Sequence, residues 1–571
     1  MRSDRRVIQA LALALVTTLT AACEASSAPV ASTAPTDTPV RGGRLVLASA
    51  NDQDTLQPIL ANDDLGGAIR LIYWPMLEND PATGELSPGL AQGFTSTADG
   101  KTITFTLRDG VSWSDGVPFT GEDYKYTVEA YARSKKTFRK SKFLDITGWS
   151  DYAQGRDDSL RGVRVGGGGR VIEISLDRSS CLSLRNLNLS PLPRHDFITY
   201  WDNRTLDVTT SIDSSPFNRA PPAATGPFVF KEWRPNDQIT VTRNDRYFRG
   251  PPLLDEVVLK VLPLPSATKI AFVVGDTHWF TPQSADVEYV RQQMGSSAHE
   301  YLVKDKLGYN FVAWNQKATR APWLADKRVR QALWYGLDVK TIVSKLEFGF
   351  GHPVYANTPE ASWAYDGTGL NHYDYDPARA RALLEAAGAT MGPDGIYRWS
   401  NGQPMEIRVE TNSSNATRVS IVQIAQEQYK QIGIRIVPVI EAFNLLVQRV
   451  TPSDGTVEGV LLGWAFAQPD PEPDAYMIWH SSMQGKDGNN FVGMSSKELD
   501  AALDAGRYGP DCSTSARKRA YQTVDRILNE EAPYTFLYVT DSVFFVSNKL
   551  VRPAPQPFGV WLDVEKWWIR P

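Results

Sequence analysis

Residues 406–464 leave a chain like this few ways to fold. Residues 406–410 read as a strand, 419–432 as a helix and 434–439 as a second strand. Strand, helix, strand in close succession is a βαβ unit, and its two strands belong side by side in one sheet. Residues 457–464, VEGVLLGW, add another strand. Residues 71–128 are built differently. Ile103, Phe105 and Leu107 alternate with polar residues, as in a half-buried strand. Asp99-Gly100 ahead of them is a hairpin-type turn, and Asp109-Gly110 and Asp115-Gly116 break the chain twice more. Thr120 with Asp123 three places on starts a helix. Turn-punctuated strands of this kind make an aromatic-rich α+β unit.

The chain has 571 residues, too many for a single hydrophobic core, so two or three domains are expected. A formal net charge of -5 argues against a nucleic-acid partner, which calls for a basic surplus. Residues 166–169 are all glycine but no Lys-Ser/Thr follows, and strand patterns flank them. They read as a hairpin turn, not a phosphate loop. The six histidines are scattered singly, without the i, i+4 spacing that a zinc hydrolase uses. A GxSxG elbow is absent as well. Neither catalysis nor a cofactor or metal is expected. A secreted hydrolase remains a remote alternative, because Asp470 and Glu472 are a carboxylate pair of the type glycosidases use. Whether Cys181 and Cys512 are bridged stays open, since sequence separation says nothing of spatial distance.

Arg2, Arg5 and Arg6 precede a mostly apolar, small-residue run that Cys23 closes. Residues 1–22 read as a signal peptide. Residues 23–41 are rich in Ala, Ser, Thr and Pro, cannot bury enough surface to order themselves, and read as a flexible tether. No other run approaches the ~20 apolar residues of a membrane-spanning helix.

The turn-rich segment carries an ordered set of short motifs. They are Ile72-Tyr73, Thr83-Gly84-Glu85-Leu86, Pro88-Gly89-Leu90-Ala91, Asp99-Gly100-Lys101, Leu107-Arg108-Asp109-Gly110-Val111, Trp113-Ser114-Asp115-Gly116 and Pro118-Phe119-Thr120. Gly226-Pro227-Phe228, Arg328-Val329-Arg330-Gln331-Ala332-Leu333 and Gly463-Trp464 follow in order. The set resembles the family 5 extracellular solute-binding proteins, the oligopeptide- and dipeptide-binding lipoproteins of ABC importers. Leu19-Thr20-Ala21-Ala22-Cys23 resembles a lipobox, which implies cleavage before Cys23 and a lipid on its thiol.

The resemblance implies an α/β, two-lobed periplasmic-binding-protein-like fold of class II (cluster C), with an extra α+β subdomain in the first lobe. Residues 42–65 and 202–264 then belong to lobe 1, 66–201 to the extra subdomain, 265–530 to lobe 2, and 531–571 return to lobe 1. A cleft between the lobes closes by a hinge. The ligand-binding residues it implies are Asn62, Asp63 and Asp64 in an early loop, Trp314 and Asn315 at a strand end, Arg449 in a helix, and Trp464, Phe466, Gln468 and Asp470 in the cleft strand and its exit. In peptide-binding members an aspartate three places after the tryptophan pairs with the ligand's α-amino group. Here that residue is Ala467, and whether Asp470 replaces it stays open. The implied role is capture of a small solute, a peptide first, for delivery to an ABC permease and ATPase complex. The protein would be a monomer anchored by lipid to the outer face of the cell membrane, without nucleic acid. The alternative is a receptor for a sugar, a metal chelate or an N-blocked peptide on the same fold.

Overall fold

The structure, a computed structural model, describes residues 38–571 except 62–66, 138, 203–210, 305, 451, 465–471, 486–487, 557 and the side chain of Asn444. Strand β1 (Arg44–Ser49) buries Leu45 and Leu47 on one face. Strands β2 (Ala91–Ser96) and β3 (Thr102–Leu107) form the hairpin expected across Asp99-Gly100, with Gly100 at φ +65°. β3 buries Ile103, Phe105 and Leu107, so its alternation is real. Helix α1 (Gly121–Arg133) begins where Thr120 and Asp123 said it would: the Thr120 N–H donates to Asp123 Oδ2 at 2.9 Å. Strands β4 (Val163–Gly166) and β5 (Val171–Ser175) flank the glycine turn, giving an antiparallel sheet in the order β2-β3-β5-β4. A short helix α2 (Ser183–Leu187) follows. Strands β6 (Phe228–Arg234), β7 (Gln238–Arg243) and β8 (Glu256–Val261) join β1 in the order β1-β8-β7-β6, with β1 parallel to β8. Leu45, Phe105, Trp113, Ile172 and Val257 share one core, so both sheets pack on it.

The chain continues through β9 (Trp279–Phe280), β10 (Ala298–Val303), β11 (Tyr309–Trp314) and α3 (Lys327–Tyr335). Asp326 caps α3 by accepting from the Arg328 N–H at 2.9 Å. The βαβ region follows as β12 (Glu406–Asn412), α4 (Ala416–Gln431), β13 (Arg435–Glu441), α5 (Phe443–Val450) and β14 (Gly459–Trp464). Helices α6 (Lys497–Tyr508) and α7 (Thr514–Glu531) lead to β15 (Tyr534–Phe536) and β16 (Ser542–Ser547). Five strands form one sheet in the order β13-β12-β14-β11-β15. The first three run parallel, and β11 is antiparallel to both neighbours. A second core lies on this sheet. In it Phe311 stacks on Tyr534 with centroids 4.1 Å apart, and Trp334 stacks on Tyr373 at the same distance.

The chain passes between the two cores between Val303 and Tyr309 and again between Val539 and Ser542. Val303 lies opposite Ser542 in the antiparallel pair β10-β16, so the two passages run side by side. This moves two of the expected boundaries. Residues 265–303 were assigned to the second lobe, but β9 and β10 pair with β16, and Trp279, Tyr301 and Val303 pack on the first core. The return was placed at 531, but Tyr534–Phe536 is still an edge strand of the second sheet. Cys181 and Cys512 are bridged, with Cα atoms 5.1 Å apart. The bond joins the segment ahead of α2, on the first core, to the α6–α7 connection on the second.

Candidate ligand cleft

Strands β12, β13 and β14 point the same way, so Asn412, Glu441 and Trp464 finish at one edge of the sheet. The antiparallel β11 begins there, with Tyr309 opposite Trp464. Both chain passages leave from this edge. The carboxyl edge of such a sheet, where loops diverge, is the place where open α/β sheets bind ligands. Trp464 is half-buried and stacks on Phe311 at 5.8 Å. Gly463 precedes it for a steric reason. A Cβ at that position would lie 2.6 Å from Arg418 Nη2 and 3.0 Å from Asn310 Oδ1.

Arg418 occupies the first turn of α4 and reaches across the edge. Its Nη1 donates to Asn412 Oδ1 at 3.2 Å and its Nε to Asn310 Oδ1 at 3.4 Å. Among the described residues no carboxylate forms an ion pair with it. Burial pulls its pKa below the ordinary guanidinium value, and the Tyr538 hydroxyl acts in the opposite sense. A guanidinium that is partly desolvated, oriented by two amide oxygens and lacking a counter-ion is a receiver for a carboxylate, which it can meet with two parallel hydrogen bonds.

On the first-core side, a cavity of about 450 Å³ is lined by Ser49, Gln53, Trp279, Lys306, Ser542 and Trp561, among others. Lys306 lies in the first passage and Ser542 closes the second, so this cavity adjoins both passages. Its floor is aromatic: Trp279 stacks on Phe544 at 4.5 Å and on Trp561 at 6.2 Å. Asp52 also lines the cavity but is committed, its Oδ1 accepting from Trp233 Nε1 at 3.0 Å and its Oδ2 from the Asn236 N–H at 2.8 Å.

Of the ligand residues expected from sequence, Trp464 is at this edge. Trp314 and Asn315 are not, because β11 runs antiparallel and they finish at the opposite end, beside Gly459. Trp314 is fully buried and donates from Nε1 to Thr535 Oγ1 at 2.9 Å. Asn315 is buried too, donating to the Val457 carbonyl at 2.8 Å and accepting from the Lys317 N–H at 2.9 Å. Arg449 is engaged by two carboxylates, Glu410 and Glu441, the latter at 3.2 Å. Burial pushes the Glu410 carboxyl up to about 7 against the pull of Arg449, with Glu441 adding to the rise. Asn62, Asp63, Asp64, Phe466, Gln468, Asp470 and Cys23 lie outside the described residues.

Sequence reasoning missed Arg418, Asn310 and Asn412. A signal was there: in a βαβ unit the first turn of the helix sits at the carboxyl end of the preceding strand. It also missed how His195 is used. Its Nε2 lies 2.8 Å from Asp115 Oδ2 and 3.3 Å from Asp196 Oδ2, which pins the Asp115-Gly116 turn to residues 194–197.

The sequence model described as "Bacterial extracellular solute-binding proteins, family 5 Middle" matches residues 85–486. The oligopeptide-binding protein AppA of Bacillus subtilis (strain 168) is 27% identical over 538 residues, covering 93% of this chain and 92% of AppA. A structure of AppA from Bacillus subtilis in complex with a nonapeptide aligns with a TM-score of 0.73 at 26% identity, covering 94% of this chain and 100% of the other. NikA from Brucella suis, in complex with Fe(III)-EDTA, aligns with a TM-score of 0.76 over 92% of this chain and 100% of its own. At 21% identity that likeness shows the fold alone. With the family model covering most of its length and a two-lobed α/β architecture to match, the chain belongs to the family 5 bacterial extracellular solute-binding proteins, the substrate-binding components of ABC importers.

Proposed function

We propose that this protein captures carboxylate-bearing solutes, peptides first among them, and hands them to the permease and ATPase of its importer. Arg418 carries this reading: it is a half-buried cation at the cleft edge with no anion of its own among the described residues. A peptide brings a carboxylate at its C-terminus. At the other end, Ala467 stands where an aspartate would meet an α-amino group, so recognition rests on the acid end and tolerates a blocked amine. The nonapeptide of AppA and the Fe(III)-EDTA of NikA both carry carboxylates, and a chelate receptor is the second reading that Arg418 allows. The protein works by binding, and bound peptides should be recovered uncleaved. A lipid on Cys23 holds it outside the membrane, with residues 24–41 as the tether.

Calorimetry on the full chain tests the reading with three forms of each peptide: free acid, C-terminal amide and N-acetyl. Free-acid and N-acetyl forms should bind alike, and the amide more weakly by roughly tenfold or more, the worth of a charge-assisted hydrogen bond. If no peptide binds and Fe(III)-EDTA does, the ligand class is chelates.

A further inference from the structure

We propose that the Cys181–Cys512 bond is a strap that limits how far the two lobes open. The bond lies on a seam of its own. The Cys181 N–H donates to the Arg507 carbonyl at 2.9 Å, and the Arg178 guanidinium stands 3.4 Å over the Tyr508 ring. Arg185 Nε approaches Glu472 Oε2 at 3.8 Å, and Arg517 pairs with the same carboxylate. A chamber of about 380 Å³ opens along this seam, lined from one side by Thr83, Glu85 and Arg185 and from the other by Trp363, Thr514 and Arg517. None of these residues belongs to the two chain passages.

That separation gives the bond its mechanical meaning. Two rigid bodies joined only at a hinge swing freely about it. Joined also at a point away from the hinge, they keep rotation only about the line through both attachments. The swing that parts the lobes along the seam is then barred, and what remains is a twist. The non-covalent contacts of the seam do not achieve this alone. The seam's ion pairs are largely buried, so the cost of desolvating them offsets much of their attraction, and the cation–π contact adds only about 1 kcal/mol. A disulfide in an exported protein persists. The restraint rests on the fold; its consequence, that solute exchanges through a partly open cleft, rests on the solute-receptor role.

Cys512 is exposed, so a phosphine reductant reaches the bond. Small-angle scattering and hydrogen exchange on the ligand-free full chain should compare the oxidised protein, the phosphine-reduced protein and a Cys181→Ser/Cys512→Ser variant. Reduction and the double substitution should both enlarge the radius of gyration. They should also raise amide exchange across residues 178–185 and 507–514 by roughly tenfold, the factor that about 1.4 kcal/mol of lost restraint gives. Near-ultraviolet circular dichroism should keep its native form. An unchanged radius and unchanged seam protection, with two thiols titrating, would overturn the proposal. So would loss of the native spectrum in the reduced wild type, because the bond would then hold the fold and not its opening. Free thiols in the protein as purified would overturn it as well. If the double variant alone fails to fold, the reduced wild type decides.

Discussion

Asp525 is buried in α7 with no cation paired to it among the described residues, and it accepts from the Thr358 N–H at 3.1 Å. Its neighbour Asn357 takes hydrogen bonds at Oδ1 from the Tyr309 hydroxyl and from Trp479 Nε1, both at 2.8 Å. Burial pushes the Asp525 carboxyl up to about 7, and the hydrogen bonds pull against that. In the unfolded chain the same carboxyl titrates near 3.9. Between these values the folded state holds a proton that the unfolded state has lost. The contribution is therefore fully present below about pH 4, and it is lost as pH rises through about 7. On its own it amounts to on the order of 4 kcal/mol. Urea unfolding at pH 5 and pH 8 should show wild type weakening across that interval, with Asp525→Asn weakening by less. Equal slopes for the two proteins would mean that Asp525 is ionised throughout. Arg418 makes the other prediction at this scale. Arg418→Met should weaken a free-acid peptide by roughly 10- to 100-fold, the worth of a hydrogen bond to a charged group, and Arg418→Lys by less. Neither should move the urea midpoint appreciably. An Arg418→Met protein that binds as wild type does would remove the carboxylate assignment.

At the scale of elements, β14 matters because its penultimate residue has no side chain. Gly463→Ala puts a methyl group 2.6 Å from Arg418 Nη2, so the guanidinium must leave the edge. Carboxylate binding should fall about as far as in Arg418→Met, while the strand keeps its pairing with β11. Native binding in that variant would show that Arg418 is free to sit elsewhere. Helix α1 offers a test of capping: Thr120→Ala should cost about 1 kcal/mol in urea unfolding, with binding untouched. Elements of this kind were legible in the sequence because their signals are local. Thr120 with Asp123 and Gly100 in its turn each act on residues within a few places of themselves. The site was less legible, since strand direction is set by partners far away. Trp314 and Asn315 occupy a strand end, as expected, but the antiparallel pairing of β11 with β14 turns that end away from the edge. The residue that matters on the same strand is Asn310, at the other end, and nothing within the strand says which end faces the cleft. The boundaries at 265 and 531 moved for a similar reason. β9, β10 and β15 find their partners hundreds of residues along the chain or at the far side of the lobe.

For the whole molecule, the anchoring proposed at Cys23 can be tested apart from folding. A Cys23→Ala variant should leave the membrane fraction and bind as wild type does; if it stays with the membrane, something other than lipid at that cysteine retains it. The Cys181–Cys512 bond also has a consequence in time. The two cysteines are 331 residues apart, so Cys181 is made well before its partner exists. Throughout that interval the one other cysteine in the chain is Cys23. The acylation proposed for Cys23 would take that thiol out of circulation, leaving Cys181 a single partner when residue 512 arrives. The native bond can therefore form only after residue 512 has been made. A pulse-labelled chain sampled during export should carry one alkylatable thiol at Cys181 until the second lobe is out, then none.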